Sequence, residues 1–277
     1  MMAVSKLHRR VALQRWLIDK SGRHSALKAK LLITVPTYND SPRVETMVEK
    51  LTRELENLND VRILVADDGS TDQTFEILTS LVSYYPQLVV SAVTPNMGRG
   101  RLIREMWSMV TADVYVYMDS DLATDLNYLP SLIASIEEGW DIATGSRYMR
   151  TSRLRRPFLR YLVSRMYNRL VNVLFRESIS DHQCGFKALS KRAVKILLPI
   201  CLDQKWFWDT EVLVLGRKLG LTIRELPIAW VEKKSKRTPL RRLLRDIAVI
   251  APSLFSLGWR IYVRRAIDTD HVGGHKS

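Results

Sequence analysis

From residue 30 onward, short runs of aliphatic and β-branched residues alternate with segments whose apolar positions recur every three or four residues. The runs at 31–36, 62–66, 88–93, 114–118 and 142–144 predict strands, and the segments at 45–58, 74–82, 101–110 and 129–138 predict helices between them. Strands and helices in strict alternation build βα units and hence a mostly parallel central sheet flanked by helices, an α/β fold. Such sheets bind ligands at the carboxyl ends of their strands, so the residues that follow each strand are the informative ones.

After Gly145 the pattern changes. It predicts a basic helix over 157–175, a polar turn, a short strand at 186–189, two more helices and a final strand near 221–231. Lys233, Lys234, Lys236, Arg237, Arg241, Arg242 and Arg245 then lead into an apolar stretch, 247–259, interrupted by Pro252 and closed by Arg260. As a helix this stretch rises roughly 20 Å against about 30 Å of hydrocarbon, so it is expected to lie on a membrane and not to cross one. The division expected is a basic amphipathic segment over 1–29, an α/β domain over 30–232, and a basic, apolar appendage over 233–277 whose last residues, 273–277, fray. Lys6, Arg9, Arg10, Arg15 and Lys20 in the first segment are not followed by the apolar core and small-residue site of a secretory signal.

Composition adds one constraint. The 277 residues, 46% hydrophobic and 26% charged, suffice for a large folded domain and exclude a disordered chain or a membrane bundle. Lys and Arg number 43 against 29 Asp and Glu, a formal charge of +14 that favours anionic partners: phosphates, nucleic acid or acidic lipid headgroups. No helix-turn-helix, zinc-finger or RNP-type aromatic pattern accompanies the charge, so no nucleic-acid partner is expected. Cys184 and Cys201 stand too far apart for a CxxC motif and suit a reducing compartment.

The chemistry sits at the strand ends. The first strand runs into Pro36-Thr37-Tyr38-Asn39-Asp40 and the second into Asp67-Asp68-Gly69-Ser70-Thr71-Asp72. Each alone is also ordinary turn and helix-cap chemistry, but two such loops at adjacent strand ends point to a site. The fourth strand enters Asp119-Ser120-Asp121 directly. In extended chain that spacing turns both carboxylates the same way, and hard oxygen donors of this kind hold Mg2+ or Mn2+ beside a diphosphate. Asn96-Met97-Gly98-Arg99-Gly100 lacks the third glycine of a dinucleotide fingerprint, and no GxxxxGK[ST] occurs. On the basic helix Arg160, Ser164 and Asn168 recur every four residues, about 40° apart, so one face offers a guanidinium, a hydroxyl and an amide to a phosphate. Arg147, after the fifth strand, can approach the same anion with two parallel hydrogen bonds, whereas Arg153, Arg155 and Arg156 equally suit a solvated face. Asp181-His182-Gln183-Cys184-Gly185-Phe186-Lys187 and Trp206-Phe207-Trp208-Asp209-Thr210-Glu211 place aromatics beside carboxylates, as in a sugar-binding wall or a core edge.

These segments, in this order over about 31–231, resemble the inverting GT-A glycosyltransferases of the family that includes cellulose and hyaluronan synthases, and among them the polyprenol-phosphate (dolichol-phosphate) mannose or glucose synthases. The resemblance implies that Pro36, Tyr38, Asp40 and Asp68 contact the nucleoside, with Gly69, Arg99 and Ser120 on the same nucleotide-sugar side. It implies that Asp119 and Asp121 hold a metal, Mg2+ or Mn2+, that bridges the donor diphosphate. Arg147, Arg160 and Ser164 match positions that grip a lipid phosphate; Asp209 and Glu211 match the acidic end of the acceptor side, where Trp208 and Asn168 also fall. Asp40 stands where relatives often have Glu, Arg99 where Lys is usual, and Ala123 where many have Gln as a further metal ligand, which leaves Asp125 or water as substitutes. The processive QxxRW motif is absent, since Gln204 precedes Lys205-Trp206, so one sugar is expected to move. The expectation is thus a metal-dependent glycosyltransferase, peripheral on the cytoplasmic face of a membrane, acting between a nucleotide-sugar and a polyprenyl or dolichyl phosphate. A saccharide or protein hydroxyl is the rival acceptor, with Asp209 then the candidate base, and a non-enzymatic anion-binding protein is the rival of another class.

Overall fold

The computed structural model describes residues 27–231 and 240–263. The basic segment before residue 27, Lys233, Lys234, Lys236, Arg237 and the tail at 273–277 lie outside the described residues. In chain order the elements are β1 Leu27–Thr37, α1 Val44–Glu54, β2 Val61–Asp67, α2 Thr74–Leu81, β3 Leu88–Ala92, α3 Arg99–Met109, β4 Val110–Met118, a 3-10 turn Leu126–Tyr128, α4 Leu129–Glu137, β5 Ile142–Ser146, β6 Arg153–Arg155, α5 Phe158–Phe175, β7 Phe186–Ser190, α6 Lys191–Leu197, α7 Trp208–Lys218, β8 Ile223–Pro227, β9 Ala229–Val231 and α8 Leu240–Tyr262.

Seven strands form one sheet in the order β3-β2-β1-β4-β7-β5-β8. All pair in parallel except β7, which runs antiparallel between β4 and β5. The two faces of the strands explain the two cores. Leu32, Leu64, Tyr115 and Tyr117 point to the side covered by α3, α6 and α7, while Leu31, Ile33, Val35, Ile63, Val65, Val114 and Val116 point to the side covered by α1, α2 and α4. Each helix presents a matching stripe; α1 buries Val44, Met47, Val48 and Leu51, the three-and-four spacing read from the sequence.

Two sequence expectations change. The final strand near 221–231 is two: β8 closes the main sheet, and β9 leaves it after Pro227, which has no N–H for a ladder, to pair with β6. The apolar stretch near the C-terminus belongs to a helix of 23 residues, roughly 35 Å long, so length alone does not keep it out of a bilayer. Its charges do: among the described residues no helix is both long and apolar enough to cross a membrane. Nor does α8 stand apart from the α/β domain. Leu257 is 1% exposed in the core, with Ile250, Leu254 and Ile261 packed beside it, and Tyr262 stacks on Phe175 at 6.4 Å.

Candidate active site

The loops after β1, β2 and β4 meet at one sheet edge and are cross-tied. Asp68 accepts hydrogen bonds from the N–H groups of Met97 at 2.8 Å and Gly98 at 3.0 Å. Gly98 sits at φ 87°, a conformation that suits glycine, so the 96–100 loop takes its shape from the acid that follows β2. Asn39 donates its N–H to Ser70 Oγ and accepts from Thr71 N–H, both at 2.8 Å. Ser120 donates to Asp40 Oδ2 at 2.5 Å, and Arg43 Nε donates to Asp40 Oδ1. Pro36, Tyr38, Asp40, Asp68, Gly69, Arg99 and Ser120 therefore share one rim. Tyr38 is exposed there, while Asp40 and Asp68 are buried and engaged in holding loops. Burial raises Asp68 above the usual carboxylate range, with the two N–H groups opposing it.

Asp119 and Asp121 close β4 in a turn, not the extended chain expected: Leu122, at φ 46°, donates its N–H to Asp119 O at 3.2 Å. Both acids still line one small hollow, together with Ala123, Thr124, Gly185 and Trp230. Asp119 donates its N–H to Gly185 O at 3.2 Å, and a Cβ at residue 185 would lie 2.6 Å from Asp119 Oδ1. The carboxylate thus occupies a cradle that exists because residue 185 is glycine. Two hard oxygen donors at a rim, one of them 40% exposed, fit a divalent cation whose other ligands are diphosphate and water oxygens. Asp125 caps the 3-10 turn through Asn127 N–H at 3.0 Å, and among the described residues no group of three His, Cys, Asp or Glu assembles.

Behind Asp119 lies a buried ionic chain. Arg99 Nη1 donates to Asp119 Oδ1 at 2.6 Å and Nη2 to Asp209 Oδ2. Asp209 Oδ1 accepts from the Tyr117 hydroxyl and from Lys187 Nζ, the latter at 2.9 Å. Burial pushes the Asp209 carboxyl well above its ordinary value and brings the Lys187 ammonium down to about 7. This corrects the acceptor-side expectations drawn from the Trp206–Glu211 segment. Asp209 is fully buried; Trp208 is core, edge-on to Tyr117 at 5.1 Å; Glu211 pairs inward with Arg260 at 2.5 Å and accepts Asp203 N–H. Trp206 alone of these is exposed, 4.2 Å from the Arg99 guanidinium.

The basic cluster also differs from its expectation. Arg147 is buried and clamped by Asp181 through Nε at 2.7 Å and Nη2 at 2.8 Å. Burial lowers the Arg147 pKa, but the charge and hydrogen bonds of Asp181 outweigh it and raise the group overall. Arg156, which sequence left as a solvated face, is half-buried and donates to Ser164 Oγ at 2.9 Å and to the Tyr148 hydroxyl at 3.0 Å. Asn168 is buried and accepts from His182 N–H at 3.0 Å, so it shapes the turn before β7; Arg160 is partly exposed one turn before Ser164. Trp230 was missed. Its ring lies 5.5 Å from the Arg147 guanidinium and 5.0 Å from that of Arg156, and it also lines the Asp119–Asp121 hollow. Guanidiniums and carboxylates therefore border a common indole.

Comparison with known proteins places the chain in a family. The model of glycosyl transferase family 2 matches residues 32–198. Glycosyltransferase AglD of Haloferax volcanii is 33% identical over 247 residues, 88% of this chain and 39% of that protein, so the chain spans about two fifths of AglD. Dolichyl-phosphate beta-glucosyltransferase ALG5A of Trichomonas vaginalis is 29% identical over 85% of this chain and 77% of its own length. The dolichol-phosphate mannosyltransferase of Pyrococcus furiosus is 34% identical over 66% of this chain and 55% of its own. Among solved structures, glucosyl-3-phosphoglycerate synthase from Mycobacterium tuberculosis, in complex with Mn2+, uridine-diphosphate and phosphoglyceric acid, superposes with a TM-score of 0.63 at 17% identity, covering 83% of this chain and 78% of that one, which speaks for the fold alone. With the family pattern matching residues 32–198, more than half of the chain and most of the sheet, the chain belongs to glycosyl transferase family 2.

Proposed function

We propose that the chain transfers a single hexose, with inversion, from a nucleotide-sugar to a polyprenyl or dolichyl phosphate. The observation that carries this reading is Trp230, whose ring borders both the carboxylate hollow and the Arg147–Arg156 pair, so that a donor diphosphate and an acceptor phosphate would lie side by side. The names of the glucosyl- and mannosyltransferase relatives support the substrate class. A divalent ion at Asp119 and Asp121, Mg2+ or Mn2+, would supply charge neutralisation to the departing nucleoside diphosphate. The chain's own part would be orientation, with the acceptor phosphate received by Ser164 and Arg156, which are bonded to each other, and by Arg147, which Asp181 keeps fixed. A phosphate monoester, with a second pKa of about 6, is already largely ionised near neutrality and needs no protein base. That favours it over a hydroxyl acceptor, since Asp209 is enclosed.

The reading extends to a peripheral position on the cytoplasmic face of a membrane. Supporting it, α5 exposes Phe158, Leu162, Met166 and Val173 on the side away from Ser164, and α8, whose Tyr262 stacks on the buried Phe175, exposes Phe255 and Trp259. Exposed Arg165 lies beside the α5 stripe and exposed Arg169 within it, as suits an anionic lipid surface. Purified protein with a panel of UDP- and GDP-sugars is expected to release nucleoside diphosphate only with polyprenyl phosphate and a divalent ion. Release that needs a saccharide acceptor instead, or that survives chelation, refutes the reading.

A further inference from the structure

Asp209 occupies the place where a catalytic base is sought, yet no substrate proton can reach it. Its carboxylate is fully buried and receives Arg99, the Tyr117 hydroxyl and Lys187. A base must come within hydrogen-bond reach of the proton it removes, and Arg99 and Tyr117 stand in that path. What Asp209 does hold is a guanidinium whose other arm reaches Asp119 Oδ1 at 2.6 Å. Trp206 covers the same guanidinium at 4.2 Å, and Arg99 is itself only 9% exposed, so its position is fixed from three sides. Lys187, the other cation behind Asp209, is turned away from the rim, with its Nζ on Cys184 O and Asp209.

We infer that Arg99 is the built-in counter-ion of the Asp119–Asp121 site and that Asp209 is a positioning residue acting through it, not a proton acceptor. The inference rests on the reading of Asp119 and Asp121 as cation ligands. A guanidinium on Asp119 Oδ1 competes with a divalent ion for that oxygen and repels it. A diphosphate brings new negative charge to which the guanidinium can turn, so the competition eases when the nucleotide arrives. Cation and diphosphate are thereby coupled through Arg99, and the strength of the coupling depends on Asp209 sharing the guanidinium with Asp119.

Mn2+ titration followed by electron paramagnetic resonance, with and without UDP, tests this in the full chain. Arg99→Gln is expected to tighten Mn2+ binding without UDP by roughly fivefold or more and to shrink the gain on adding UDP. Asp209→Asn leaves Arg99 with Asp119 as its one carboxylate, so Mn2+ binding without UDP weakens several-fold, and in the Arg99→Gln background the same change has no further effect. Arg99→Lys, which cannot span both acids, is expected to fall between wild type and Arg99→Gln and keeps the test alive should Asp209→Asn fail to fold by circular dichroism. Asp121→Asn separates the two levels. If it binds Mn2+ like the wild type, the cation site itself is misread. If it loses Mn2+ while Asp209→Asn acts equally in both backgrounds, or Arg99→Gln leaves Mn2+ affinity unchanged, the counter-ion inference alone is overturned.

Discussion

Replacing Gly185 by alanine is the smallest change that reaches the carboxylate pair. The new Cβ would collide with Oδ2 of Asp119 and lie 2.6 Å from its Cγ and Oδ1, where ordinary contacts begin near 3.4 Å, so the carboxylate must withdraw by about 1 Å or more. It cannot shift along β4, because its N–H is held by Gly185 O and its Oδ1 by Arg99. The 40% exposed side chain can only swing outward, away from Arg99 and from the hollow. A misplacement near 1 Å in a positioning group costs on the order of 100-fold in rate. Stability should change little, by about 1 kcal/mol or 2–4 °C in Tm, because the swing is into solvent and residue 185 is not in the left-handed region. The assay is kcat for sugar transfer to polyprenyl phosphate at saturating donor, with calorimetric Tm alongside. A variant that turns over like the wild type with the same cation requirement would remove Asp119 from the chemistry.

Other expectations follow from the packing. Leu257→Ala opens the core under α8 and should cost about 2–5 kcal/mol in urea unfolding; an unchanged midpoint would return α8 to the status of an appendage. Phe255→Ser with Trp259→Ser, at 74% and 49% exposed positions, should leave stability within about 0.5 kcal/mol yet weaken sedimentation with anionic vesicles, and equal sedimentation counts against the membrane reading. Asp181→Asn strands the buried Arg147 and should destabilise by about 3–5 kcal/mol in the same urea assay; a variant as stable as the wild type refutes the clamp. Burial holds His182 neutral, its pKa pulled from 6.5 to about 4. Between those values the unfolded chain binds a proton that the folded chain does not, so this contribution is whole above pH 6.5 and is lost as pH falls towards 4, by about 3 kcal/mol. His182→Gln should lose less Tm between pH 7 and pH 5 than wild type does; parallel losses refute the assignment.

The parts of the fold written locally were legible, and those made by distant partners were not. Leu31 to Thr37 and Val114 to Met118 announce themselves because alternation and strand-end acids lie within a few residues. Nothing near residue 186 says that β7 inserts antiparallel between β4 and β5, since the sign of a pairing depends on where the chain returns from. The rim residues came from loops adjacent to strands, and the structure brings them to one edge; the pairings that hold them were not legible. Asp181 lies 34 residues from Arg147, and Asp209 lies 110 from Arg99, so both acids read as candidates for chemistry when each anchors a guanidinium. Trp230 gave no signal beyond being an aromatic in a short strand, and Arg156 looked like one more basic surface residue until Ser164 and Tyr148 were seen to receive it. The apolar stretch before Arg260 misled differently: a hydrophobic face predicts burial but not whether protein or lipid supplies it, and Leu257 and Phe255 went to opposite sides of one helix.

On the proposed reading, α5 resolves a difficulty that a lipid phosphate poses to any soluble α/β domain, because its head is doubly charged and its tail is insoluble. The helix repeats every 100° per residue, which puts Arg160, Ser164 and Asn168 on one side and Phe158, Leu162, Met166 and Val173 nearly opposite. Ser164 receives Arg156, which lies against Trp230, and Asn168 is buried on the His182 turn, whereas the second set is left bare. A phosphate held on the inner face would then have its chain leave over the rim of the same helix, onto its exposed apolar surface. Because one rigid element carries both faces, the head is positioned relative to the membrane plane without a hinge. Breaking the apolar stripe with charge, through Met166→Lys and Val173→Lys at exposed positions, should leave Ser164 in place and yet raise KM for the lipid phosphate several-fold more than KM for a short-chain, water-soluble analogue. Equal changes for both acceptors would mean that the two faces of α5 work independently.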